Sequence, residues 1–133
     1  MSAVEGTFEV TGFDPVAWTP PRDAGIAFGE ATMGKRFSGT IEGDSVTRFT
    51  AGMTDDQRAG GYVALEWFEG VIAGRSGSCV IVHGQTLVDG ASASGWLQVV
   101  PASGTGEMTG LTASGGLAVD EDGTHRMWLD LDD

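Results

Sequence analysis

Hydrophobic positions along this chain show almost none of the 3.6-residue period of helices; strand-like runs recur instead. Segments 7–13, 26–37, 45–53, 62–72, 78–88, 94–100, 115–119 and 125–131 make up these runs and are rich in Val, Ile, Phe, Trp and Thr. Turn signals separate them: Asp14-Pro15, Gly43-Asp44, Asp55-Asp56, Gly74-Arg75-Ser76-Gly77, Asp89-Gly90, the 103–106 stretch and Asp122-Gly123. The best helical candidate, 54–59, is short, polar and followed by Gly60-Gly61, so it reads as a loop. Eight short strands at this spacing predict a sandwich or a closed barrel. Segment 15–21 holds Pro15 and the tandem Pro20-Pro21, and is expected to be a loop over one rim.

One pattern occurs twice. Phe37, Gly39, Ile41, Gly43 and Ser45 share the spacing F-x-G-x-I-x-G-x-S with Phe68, Gly70, Ile72, Gly74 and Ser76. The first four fall on one strand face and run into a turn, and small residues between large ones let a sheet coil. Two copies suggest repeated corners in a curved sheet, which favours a barrel.

Segments 62–72 and 78–88 predict a hairpin with its turn at 74–77. Closed symmetrically, it sets Phe68 opposite His83 and Glu66 opposite Gln85. One face then carries Tyr62, Ala64, Glu66, Phe68, Ile72, Cys79, Ile81, His83 and Gln85; the other carries Val63, Leu65, Trp67, Val80 and Val82. Both are apolar, so alternation alone does not identify the lumen. The first face has the richer chemistry. Glu66 and His83 become diagonal neighbours, about 7–8 Å apart at the backbone, within reach of each other directly or through water. Burial raises the pKa of such a carboxylate while an imidazolium pulls it back, which makes an acid/base couple. The plainer alternative is a buried polar pair satisfied by Tyr62 and Gln85 with no turnover.

Composition narrows the picture. At 133 residues one domain spanning 1–133 is expected, large enough for its own core. Its 22 glycines exceed the usual share of about 7% more than twofold, as many tight turns and strand kinks require. Seven basic against nineteen acidic residues give a net charge of −12, which argues against nucleic-acid and membrane-surface roles. The acidic Asp130, Asp132 and Asp133 read as solvated surface. The single cysteine, Cys79, cannot bridge within the chain, and the first residues lack a signal-peptide pattern, so a cytoplasmic location is expected. Cys79, His83 and His125 form no compact zinc set, and Cys79 lies about 13 Å from His83 along an extended strand; no metal and no cofactor are expected. Gly104-Thr105-Gly106 lacks the lysine of a phosphate loop and reads as a turn. Trp96 and Trp128 are expected in core or pocket wall, and Trp18, beside the prolines, as a flap over the barrel mouth.

The stretches GTFEVTGFD (6–14), KRFSGTIEGDS (35–45), YVALEWFEGVIAGRSGSCVIVHG (62–84) and VVPASGTGEMTGL (99–111) resemble the bacterial domain-of-unknown-function family 3224, grouped with allene-oxide-cyclase-like barrels. The resemblance implies an eight-stranded antiparallel barrel with a central cavity and the Glu66/His83 face inside. Cys79 stands where the family pattern prefers Phe, and Thr112 where a basic residue is common. The family has no settled activity, while barrels of the allene oxide cyclase type cyclise apolar substrates without a cofactor.

The leading expectation is therefore a cofactor-independent cyclase or isomerase that confines a small apolar, polyketide- or lipid-like molecule in the lumen. Glu66 and His83 would be catalytic, and Tyr62, Phe68, Cys79, Ile81, Gln85, Trp96 and Trp18 would contact substrate. The alternatives are a non-catalytic small-molecule-binding barrel and a structural barrel with a filled core. Trp67 and the Val80/Val82 stripe offer a face for a homo-oligomer.

Overall fold

The computed structural model describes residues 2–22 and 25–132, so Asp133 lies outside the described residues. Among the described residues there are nine strands: β1 (Ser2–Ala17), β2 (Ala27–Gly39), β3 (Ile41–Met53), β4 (Gly60–Ile72), β5 (Arg75–Val88), β6 (Ala91–Val99), β7 (Thr105–Gly106), β8 (Ala113–Val119) and β9 (His125–Leu131). Antiparallel pairing runs β1-β2-β3-β4-β5-β6-β8-β9 and back to β1, closing an eight-stranded barrel, while β7 adds two residues beside Gly77 and Ser78 of β5. Among the described residues no helix is long and apolar enough to cross a membrane.

The central hairpin is tighter than its sequence suggests. Ala73 and Gly74 form a two-residue turn with φ of 52° and 80°, the primed geometry that matches strand twist. Phe68 therefore faces Cys79, Glu66 faces Ile81, Ala64 faces His83 and Tyr62 faces Gln85. The expected register is out by four residues along β5. An even slip keeps every side chain on its own face, so the inward assignment of Glu66 and His83 holds despite the wrong partners.

Two further expectations are corrected. Asp14-Pro15 is not a turn: β1 continues through Pro15, opposite Ala31, to Ala17, and the loop begins at Trp18. Proline is tolerated because β1 pairs with β9 only from Ser2 to Phe8; beyond that it is an edge strand carried by β2 alone. The repeated pattern also does not lie within single strands. Its first copy straddles the β2–β3 turn and its second the β4–β5 turn, both at the same end of the barrel. There Gly43 and Gly70 face each other across β3 and β4 with φ of 145° and 157°, and a Cβ on either would overlap the other's Cα.

That end is closed. Phe37, Ile41, Phe68 and Ile72 are buried, and the β6–β8 connection folds over them and inserts Met108 and Leu111. It is pinned by the Glu107 carboxylate, which accepts from the Ser76 amide at 2.9 Å, and by Ser103 Oγ, which accepts from the Val80 amide at 3.0 Å. The other end is open on one side, because β1–β5 have 13 to 16 residues while β8 and β9 have seven. Wall is missing above β8 and β9, so Phe13, on the inward face of β1 opposite Met33, is 56% exposed.

Candidate functional site

A polar layer separates the closed half of the barrel from the open half. Lys35 on β2, Ser45 and Thr47 on β3, Glu66 on β4 and His83 on β5 all point inward, as their parity with buried Phe37, Ile41, Phe68 and Ile81 requires. Glu66 is fully buried. Its Oε1 accepts from Lys35 Nζ at 2.9 Å and from His83 Nε2 at 2.9 Å, and its Oε2 accepts from Ser45 Oγ at 2.6 Å. Thr47 lies opposite Glu66 in register, buried, with its hydroxyl making no hydrogen bond among the described residues.

Burial pushes the Glu66 carboxyl up, but the His83 hydrogen bond, the Lys35 charge and the Ser45 hydroxyl together outweigh it and hold the group at about 2. The reading of the pair as a carboxylate raised by burial and pulled back by imidazolium omits two of these three opposing groups. Because the folded value lies below the ordinary 4.5, ionised Glu66 stabilises the fold above 4.5, and that contribution is lost as pH falls from there toward 2. Urea midpoints measured across this range should fall with pH in the wild type and much less in a Glu66→Gln variant.

An ionised carboxylate only accepts, so His83 Nε2 carries the hydrogen facing it. In the neutral ring Nδ1 then accepts from the Tyr62 hydroxyl, 3.1 Å away. Burial, reinforced by the Glu66 charge, pushes the phenol up to about 12, so it stays protonated. The result is a continuous chain from Tyr62 through His83 to Glu66. Above it an aromatic row climbs the inner wall: Tyr62 to Phe49 at 6.2 Å between ring centroids, then Phe49 to Phe13 at 6.1 Å.

A cleft reaches this chain from the side. β6 and β8 share only the pairs Leu97–Gly115 and Gln98–Ser114, whereas β4 and β5 pair along their whole length. Above that short seam opens a cavity of about 210 Å³, lined inside by Tyr62, His83, Gln85 and Leu117 and outside by Trp96 and Trp128. Each indole packs on a glycine: Trp96 on Gly84 and Trp128 on Gly116.

The sequence-derived residues thus separate into three groups. Glu66, His83, Tyr62 and Gln85 come together at the polar layer and the cleft. Phe68, Cys79 and Ile81 lie in the packed closed half, against core side chains rather than open space. Trp96 and Trp18 are on the outer wall; Trp96 borders the cleft, while Trp18 packs edge-on against Phe28 at 5.0 Å instead of covering the mouth. Burial pushes the Cys79 thiol up to about 11, with Glu66 adding to it. Ellman's reagent at pH 8 should therefore leave Cys79 unmodified until the protein is unfolded, and rapid labelling of the native protein would contradict its place in the core. Among the described residues no cluster of three or more His, Cys, Asp or Glu can hold a metal ion.

The chain matches the family described as "Protein of unknown function (DUF3224)" over residues 4–131. It belongs to this family. A solved DUF3224 structure of unknown function from Shewanella oneidensis MR-1 is similar at 32% identity, with a TM-score of 0.87, over 99% of this chain and 96% of that one. No curated protein matches.

Within this DUF3224 barrel the sequence reading missed Lys35, Ser45, Thr47 and Phe49 as site residues, while Trp128, expected in core or pocket wall, borders the cleft. Lys35 carried a usable signal, since it sits two residues before inward-facing Phe37 on the same strand. A buried lysine needs a counter-ion, and Glu66 is the buried carboxylate available.

Proposed function

We propose that this DUF3224 barrel binds a small, uncharged, ring-bearing molecule in the cleft between β6 and β8. The observation that carries this is the opening itself, which leads from two indoles on the surface to the Tyr62–His83 pair within. The named lining residues include no carboxylate, lysine or arginine, so a formal charge on the ligand would have no partner. Aromatic faces and glycine backbone suit a flat ring, and Gln85, Tyr62 and His83 offer hydrogen bonds to one polar edge. A volume of about 210 Å³ falls below the roughly 300 Å³ at which sites for drug-sized ligands begin, so the occupant is small.

Binding is favoured over turnover because Glu66 is saturated by three donors and held at about 2, a poor proton acceptor near neutral pH. A cofactor-free isomerase is the second reading, favoured by the Tyr62–His83–Glu66 chain, in which His83 Nδ1 exchanges a proton with Tyr62 or with a substrate group that displaces it. Titrating the protein with indazole, a neutral bicycle with one donor and one acceptor, should shift the Trp96 and Trp128 indole resonances. Tyr62→Phe should weaken that binding, and Ser92→Phe, on the cleft rim, should block it. Shifts confined to other tryptophans, or unchanged in both variants, would remove the proposal. The isomerase reading further requires a bound compound to be recovered with the same mass but altered connectivity from wild type, and unaltered from His83→Ala.

A further inference from the structure

Thr47 is the loose end of the polar layer. It stands on β3 between Met33 of β2 and Glu66 of β4, 2% exposed, and its hydroxyl has no hydrogen-bond partner among the described residues. A buried hydroxyl without a partner costs free energy, and such groups are ordinarily met by protein or by ordered water. A second demand lies beside it. The Lys35 ammonium has three N–H donors, of which one bonds to Glu66 Oε1 at 2.9 Å, while the Phe8 ring face lies 4.6 Å from Nζ. The oxygen that accepts from Lys35 is shared with His83 Nε2. A buried ion pair is stable only where further hydrogen bonds meet the protons that the pair leaves over.

The two demands converge. Lys35 is on β2 and Glu66 on β4, so the lysine side chain crosses the inner face of β3 to reach its carboxylate. The inward residues on that stretch of β3 are Ser45, in register with Lys35, and Thr47, in register with Glu66. Ser45 Oγ donates to Glu66 Oε2, which leaves the Thr47 hydroxyl beside the ammonium. We infer that the polar layer binds a single buried water molecule, which accepts from Lys35 Nζ and is hydrogen-bonded to Thr47 Oγ1. Its room comes from Ala31 and Ala64, the short inward residues on either side of Phe49 in the next rung of the sheet. An ion does not suit the place: Lys35 repels a cation, Glu66 repels an anion, and the pair is already neutral. Neither Lys35 nor Thr47 lines the cleft, so the site stands whether or not the cleft takes a ligand.

A crystal structure of the protein without added ligand tests it, together with two substitutions at Thr47. The wild type should show one isolated oxygen peak within hydrogen-bond distance of both Thr47 Oγ1 and Lys35 Nζ. Thr47→Ser keeps the hydroxyl and should keep the peak. Thr47→Val nearly keeps the shape and removes the hydroxyl. It should lose the peak and lower the folded-to-unfolded ratio, extrapolated from urea denaturation, by about tenfold, because the water and the ammonium both lose a partner. A wild type with no peak there overturns the inference. So does a Thr47 hydroxyl bonded directly to another side chain, or density that belongs to a larger molecule. A Thr47→Val protein as stable as the wild type or more stable also overturns it, since relief of a bare hydroxyl would give that result.

Discussion

Replacing Glu66 with alanine is expected to lower the unfolding free energy by about 3–5 kcal/mol, the cost of leaving one partner of a buried ion pair alone. A domain of this size has a total of roughly 5–15 kcal/mol, so the variant should be near unfolding at room temperature. The expectation follows from where Lys35 is left. Its ammonium is 4% exposed, bonds to Glu66 Oε1, and otherwise lies 4.6 Å from the centroid of the Phe8 ring. The face of one phenyl ring does not replace a carboxylate for a cation this deeply buried. His83 and Ser45 lose their acceptor in the same step. Removing both charges has the opposite logic: Lys35→Met combined with Glu66→Leu should recover most of the loss, because two apolar side chains of similar length fill the layer without stranding a charge. Urea denaturation of the single and double variants measures this directly. A double variant as unstable as Glu66→Ala would contradict the account of the layer as a neutralised pair.

Gly43→Ala is expected to cost on the order of 4 kcal/mol, or to prevent folding, through steric and backbone terms that add. At φ of 145° a side chain is strained whatever space surrounds it, and here the Cβ would also overlap the Glu69 carbonyl oxygen and the Gly70 Cα. Those atoms are backbone of the neighbouring strand, held by the β3–β4 ladder, so they cannot yield separately. Gly74→Ala is the control. Its φ is 80°, yet nothing lies within 4 Å of the added methyl, so only the left-handed backbone cost of about 1–2 kcal/mol applies. Equal effects at the two positions, read from thermal or urea midpoints, would show that close approach of β3 and β4 does not govern the closed end.

The barrel was legible because runs rich in Val, Ile, Phe, Trp and Thr recur along the chain with turn residues between them. The hairpin register was not. Its tight turn places Ala73 at positive φ, a conformation its side chain does not advertise, while Gly74-Arg75-Ser76-Gly77 looks like a longer loop. The Glu66–His83 contact was still readable, since both registers leave the two as diagonal neighbours on one face. Lys35 went unread although its parity with Phe37 sends it into the core and leaves Arg36 outside against Asp44. The side opening depends on β8 and β9 ending early and on the two-pair seam with β6, relations between distant strands that no local pattern carries.

The most direct test of the binding account is a crystal structure of the protein soaked with indazole. The account predicts the bicycle in the cleft between β6 and β8, against the Trp96 or Trp128 indole, with a ring nitrogen in hydrogen-bond range of Tyr62, His83 or Gln85. A cleft closed by side chains, or the compound bound only elsewhere, would contradict it.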